Sequence, residues 1–173
     1  MRTPAELIAH GAGVMRVPAT LVGSTVDRTA FDYQVRLSFS ALDPVEGYRL
    51  DAELLIETPF LLCDAAGDWH ELDPGTGSSL APVMDLFRRT VTSVEIRDRG
   101  ALHLTFDDGA ELHVGPDRQY ESWRLTGTGV EPITVGPGGE THWETALPPR
   151  DRVWPRVDDG VGSAGHSGGE GGQ

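Results

Sequence analysis

Apolar and polar positions alternate through most of the central chain. Phe31, Tyr33, Val35, Leu37 and Phe39 interleave with Asp32, Gln34, Arg36 and Ser38, which is the period of a strand with one buried and one wetted face. After the turn signal from Asp43-Pro44 to Gly47, Tyr48, Leu50, Ala52, Leu54 and Ile56 repeat the pattern and predict an antiparallel partner. The apolar run 60–63 after Pro59 reads as a buried strand or as the return leg of the sheet, with Cys63 as core filling. Over 79–89 the period changes: Leu80, Val83, Met84 and Phe87 stand at i, i+3, i+4 and i+7, one face of a helix packed on the sheet.

Three short strands follow at 91–97, 101–106 and 110–114. Treating Asp107-Asp108-Gly109 as a three-residue turn pairs Phe106 with Ala110, Leu104 with Leu112 and Leu102 with Val114, so the apolar residues share a face. Gly109 then takes the left-handed position of a bulged turn. A two-residue turn would mix the faces. Further strands are predicted at 120–125, 132–135 and 140–144, separated by glycine turns around Gly127-Thr128-Gly129 and Gly136-Pro137-Gly138-Gly139. An internal echo sets Leu21, Thr25-Val26, Val35, Leu37 and Phe39 against Leu86, Thr90-Val91, Leu102, Leu104 and Phe106. Related meanders and chance alternation both account for it.

The predicted fold is therefore α+β: a predominantly antiparallel sheet of meanders, open or closed into a barrel, with one central helix packed on it. Residues 1–16 form an extension whose Thr3-Pro4-Ala5-Glu6 start predicts a short helix. Residues 17–147 form a single domain. The stretch 148–173 is Pro- and Gly-rich, with Trp154 among its few apolar anchors, and cannot offset its own ordering entropy.

Composition narrows the function classes. The 173 residues carry 27 acidic and 14 basic side chains, a formal charge of -13, which disfavours a surface that tracks phosphates; nucleic acid is not an expected partner. All the basic residues are Arg, and Lys and Asn are absent, as in the coding of a high-GC genome. A single Cys excludes a disulfide framework and a Cys-based zinc cage. No run approaches the ~18 apolar residues of a membrane span, and the N-terminus lacks an uninterrupted signal h-region. A cytoplasmic chain without membrane association is the expectation.

The runs Phe31-Asp32-Tyr33, Ile56-Glu57-Thr58-Pro59-Phe60, Leu80-Ala81-Pro82, Thr90-Val91-Thr92, Leu104-Thr105-Phe106-Asp107-Asp108-Gly109, Pro116-Asp117, Tyr120-Glu121-Ser122-Trp123 and Pro137-Gly138-Gly139-Glu140 resemble a family of small proteins from high-GC bacteria known as a domain of unknown function, number 6188. The resemblance spans about 21–143 and implies one domain, with no assigned activity or catalytic residues. The N-terminal extension, the Gly-rich tail and Thr141-His142 between Glu140 and Trp143 depart from the family pattern.

Gly165-His166-Ser167-Gly168-Gly169 matches a nucleophile-elbow string, but no strand and helix flank it to strain the serine, so Ser167 is not assigned a catalytic role. The register above sets His103 opposite His113 on the wet face, within reach of Glu111 and Thr105. Two imidazoles alone do not hold zinc, and a third donor would have to come from His70, His142 or a carboxylate elsewhere. The pair is read as solvated, and no metal or other cofactor is assigned. Tyr120, Glu121 and Trp123 place a carboxylate beside two aromatics, a grouping that lines ligand pockets and partner interfaces or simply packs. The expected function is a non-enzymatic, acidic, cytoplasmic interaction module meeting a basic protein, in the manner of an immunity or antitoxin-like factor. The alternative is a small-ligand-binding or enzymatic β-domain with a pocket near Glu121 and Trp123, or one using His103.

Overall fold

Burial alternates along nearly every segment of the computed structural model, which describes residues 18–143. Eleven strands result: β1 (Thr25–Phe31), β2 (Val35–Asp43), β3 (Gly47–Ile56), β4 (Phe60–Cys63), β5 (Trp69–Leu72), β6 (Val91–Arg97), β7 (Ala101–Phe106), β8 (Glu111–Val114), β9 (Trp123–Thr128), β10 (Ile133–Val135) and β11 (Thr141–Trp143). A six-stranded sheet runs β1-β2-β3-β9-β10-β11, and a five-stranded sheet runs β5-β4-β8-β7-β6. All pairs are antiparallel. One hydrophobic cluster draws on both sheets, with Leu37, Phe39, Leu54 and Trp123 from the larger and Leu62, Leu104, Phe106 and Leu112 from the smaller. The chain folds as α+β, with two sheets sharing one core rather than a closed barrel.

The two sheets meet at an antiparallel bridge between Thr25 and Thr90. Around it the backbone bonds come in matched pairs. The Gly23 amide donates to the Val91 carbonyl at 2.8 Å, and the Arg88 amide donates to the Val26 carbonyl at 2.7 Å. Val26 N–H reaches Arg89 O at 2.9 Å, and Val91 N–H reaches Ser24 O at 2.8 Å. Each bond is the image of the other at the offset of 65 residues that separates the two threonines. The echo in the sequence is matched in the structure, because the bulge between Val26 and Arg28 in the β1–β2 pair recurs at the same offset between Val91 and Ser93 in the β6–β7 pair. The halves also exchange hairpins: after β3 the chain crosses so that β4 pairs with β8, and after β8 it crosses back so that β9 pairs with β3.

Several expected elements are displaced. The alternation from Phe31 to Phe39 is not one strand: Phe31 ends β1, and Val35 begins β2. Between them Asp32 accepts from the Gln34 amide at 2.8 Å, closing a tight turn with Tyr33 at its exposed tip. The helix expected over 79–89 shrinks to a 3₁₀ turn, Gly77–Leu80, and one α turn, α1 (Ala81–Met84). The following turns carry i→i−3 bonds, Leu86 to Val83 and Phe87 to Met84, both 3.1 Å. A three-residue turn buries every third side chain, so Leu80, Val83 and Leu86 enter the core while Met84 and Phe87 stay exposed. The glycine turn expected at Gly127 lies instead within β9, where a Cβ would run into the backbone of Asp51 and Ala52 on β3. Strands β1 and β5 were not predicted. The helix expected within 1–16, the tail 148–173 with Trp154, and Ser167 lie outside the described residues.

Candidate functional site

The β7–β8 turn fixes the geometry of the most chemically concentrated region. Gly109 adopts φ +87°, and the Phe106 amide bonds the Ala110 carbonyl at 2.9 Å, which is the three-residue turn the apolar pattern requires. Leu104 and Leu112 then pair inward, and His103 and His113 pair on the outer face. Across that face one row reads Glu71, Leu61, His113, His103, Glu95, and the adjacent row reads Trp69, Cys63, Glu111, Thr105, Ser93. Strand register alone brings these side chains together.

The imidazoles of His103 and His113 stack with centroids 3.9 Å apart. Both Nε2 atoms point at one oxygen, Glu111 Oε2, from 3.1 Å for His103 and 2.9 Å for His113. A carboxylate only accepts, so both nitrogens donate. Arg97 Nη2 lies 3.1 Å from His103 Nδ1 and can only donate there, a contact that fits the Nε2–H tautomer. Arg97 also bonds Glu95 through Nε at 3.0 Å. The His113 hydrogen bond holds the Glu111 carboxyl below its ordinary value, against partial desolvation and with help from His103. Trp69 tilts against His113 at 5.3 Å between ring centroids. Beside the histidines opens a cavity of about 550 Å³, lined by Phe60, Leu61, Glu71, Arg97, His103 and His113 among others.

The third donor in reach of both histidines is thus Glu111, two positions before His113 on the same strand. The donor atoms of His103, Glu111 and His113 all lie within 4.8 Å of one another. His70 instead bonds Asp64 at 2.9 Å, and His142 lies 3.8 Å from Glu140. The Asp64 carboxyl is held low, first by that His70 bond and then by the Asp68 and Ala66 amides. Cys63 is buried among the hydrophobic residues, as expected, but stands outside the main hydrophobic cluster, paired in register with Trp69 and Glu111. Burial pushes its thiol up, and Glu111, Asp64 and Asp68 push the same way, so the nucleophilic thiolate is disfavoured.

Tyr120, Glu121 and Trp123 do not form a common site. Strand β9 starts only at Trp123, whose side chain is fully buried and donates from Nε1 to the Gly100 carbonyl at 2.8 Å. Trp123 therefore packs and offers no surface to a ligand or partner. Tyr120 is 67 % exposed on a bend held by its amide bond to Asp117 Oδ1, and Glu121 lies 4.0 Å from Arg124. Arg97 and Trp69 were missed from sequence. For Arg97 the available signal was the β6–β7 register, which sets Glu95 opposite His103 with Arg97 one pleat away.

No helix among the described residues is long and apolar enough to cross a membrane. No curated protein and no solved structure shows significant similarity to the chain. The model of a family described as a family of unknown function (DUF6188) matches residues 17–144, most of the chain, and the protein belongs to that family.

Proposed function

We propose that this chain is a non-enzymatic, cytoplasmic binding module that receives a basic protein partner on the outer face of the five-stranded sheet. The observation that carries this reading is the combination on that face of exposed apolar anchors with carboxylates. Leu61, 43 % exposed, lines an open cavity, Trp69, 57 % exposed, tilts against His113 of that lining, and Glu71, Glu95 and Glu111 lie in the same two rows. Partly exposed aromatic and aliphatic anchors in a concave site supply binding energy. A net charge of -13 supplies steering toward a positively charged surface. An immunity or antitoxin-like factor would use such a face to hold a basic toxin.

The test is a low-salt pull-down with the parent, a Trp69→Ala variant and a Tyr48→Ala control, the last altering an exposed aromatic on β3 of the other sheet. A specific basic protein that elutes as salt rises, is lost with Trp69→Ala and is retained by Tyr48→Ala supports the reading. A partner indifferent to Trp69, or no specific partner, refutes it.

A second reading is favoured by the cavity itself. Its volume falls in the range of small-molecule sites, and Arg97 with the two imidazoles gives it convergent polar groups. This moves the small-ligand alternative from Glu121 and Trp123 to His103. A ligand screen by thermal shift, in which hits are lost on Arg97→Ala, separates it from the first.

A further inference from the structure

We infer that His103, Glu111 and His113 form a binding site for a divalent first-row transition ion of the zinc class. The inference is independent of whether a protein docks on the same face. Two imidazoles and one carboxylate are a donor set suited to such ions. Donors held at ~2.1 Å from one ion sit roughly 3.0–3.4 Å from each other. Glu111 Oε2 already lies 3.1 Å from His103 Nε2 and 2.9 Å from His113 Nε2. The three side chains project from paired strands, so the sheet holds their backbones in place before any ion arrives. The cavity beside His103 and His113 leaves room for water to complete the coordination shell.

Binding exchanges two N–H···O bonds for three bonds to the ion. Each imidazole keeps one proton, moved through solvent from Nε2 to Nδ1, which frees Nε2 to coordinate. At His103 this displaces Arg97, which now donates to Nδ1. Arg97 keeps a partner, because it also bonds Glu95. Glu95 stands opposite His103 in register and is the carboxylate placed to accept the new Nδ1 proton.

The experiment is titration of the full, chelator-stripped chain with zinc by calorimetry and with cobalt by visible absorption. One ion per chain is expected, with cobalt d–d bands in the visible range. His103→Gln and His113→Gln should each weaken binding at least ~100-fold, and Glu111→Gln roughly 10–100-fold, while His70→Gln should leave it unchanged. Circular dichroism establishes that each variant is folded. Should a variant not fold, the ring proton resonances of the parent decide: those of His103 and His113 should move on adding zinc, and those of His70 and His142 should not. No saturable uptake by the parent, or uptake that survives loss of both His103 and His113, overturns the inference. A failed pull-down with intact zinc binding would reject only the partner reading.

Discussion

Thr25 and Thr90 face one another across the bridge where the two sheets meet, their Oγ1 atoms 3.4 Å apart. The repeat about this bridge makes Gly23 and Arg88 structural equivalents, and both are left-handed, with φ +86° and +66°. Glycine adopts that conformation freely and arginine does not. Arg88→Gly should therefore stabilise the protein by about 1 kcal/mol, less whatever the Arg88–Phe87 contact contributes at 5.5 Å. Gly23→Ala should destabilise it by about 1 kcal/mol, since the added Cβ meets only the end of the Arg49 side chain. Denaturant midpoints measure both, and a loss of stability in Arg88→Gly would contradict the equivalence.

Gly127 is constrained differently. Its φ is +135°, and a Cβ there would collide with the Asp51 carbonyl and the Ala52 Cα on the neighbouring strand. Gly127→Ala should cost roughly 2–4 kcal/mol, clearly more than Gly23→Ala, because the obstacle is backbone. Equal costs at the two positions would show that β9 can shift away from β3.

Glu111 links the site to pH. Its folded pKa lies below the ordinary 4.5, so in acid the unfolded chain takes up the proton first. The resulting stabilisation is present above about pH 4.5 and is lost as the pH falls through the depressed folded value. Glu111→Gln should be less stable than the parent at neutral pH, with the difference closing in acid. Unfolding free energies measured from pH 7 down to 3 test this; parallel curves would mean that the two imidazoles do not favour the charged carboxylate.

What could be read from the chain followed the range of the interactions. The opposition of His103 and His113 was legible because a local turn, Asp107-Asp108-Gly109, and inward pairs such as Leu104 with Leu112 fix that register together. The turn at Asp32-Tyr33-Gln34 was not, because strict alternation continues through it and only the Asp32 side chain marks the break. The helix face was misread because i, i+3 spacing fits a 3₁₀ turn as well as an α-helix, and Leu86, not Phe87, turned inward. The exchange of hairpins between halves depends on β4 meeting β8 and β9 meeting β3, long-range pairings without a local signature. Glu111 was named as a neighbour of the histidines, yet the single oxygen shared by both rings is a matter of side-chain rotamers, which periodicity does not encode.

On the proposed function, this protein binds its partner through the outer face of the five-stranded sheet. Backbone hydrogen exchange, compared with and without the recovered basic partner, measures it most directly. Slowed exchange in β4, β5 and β8, around Leu61, Trp69 and His113, is the predicted result. Protection confined to the β2–β3 tip at Leu42, Val45 and Tyr48, with those three strands unchanged, would contradict it.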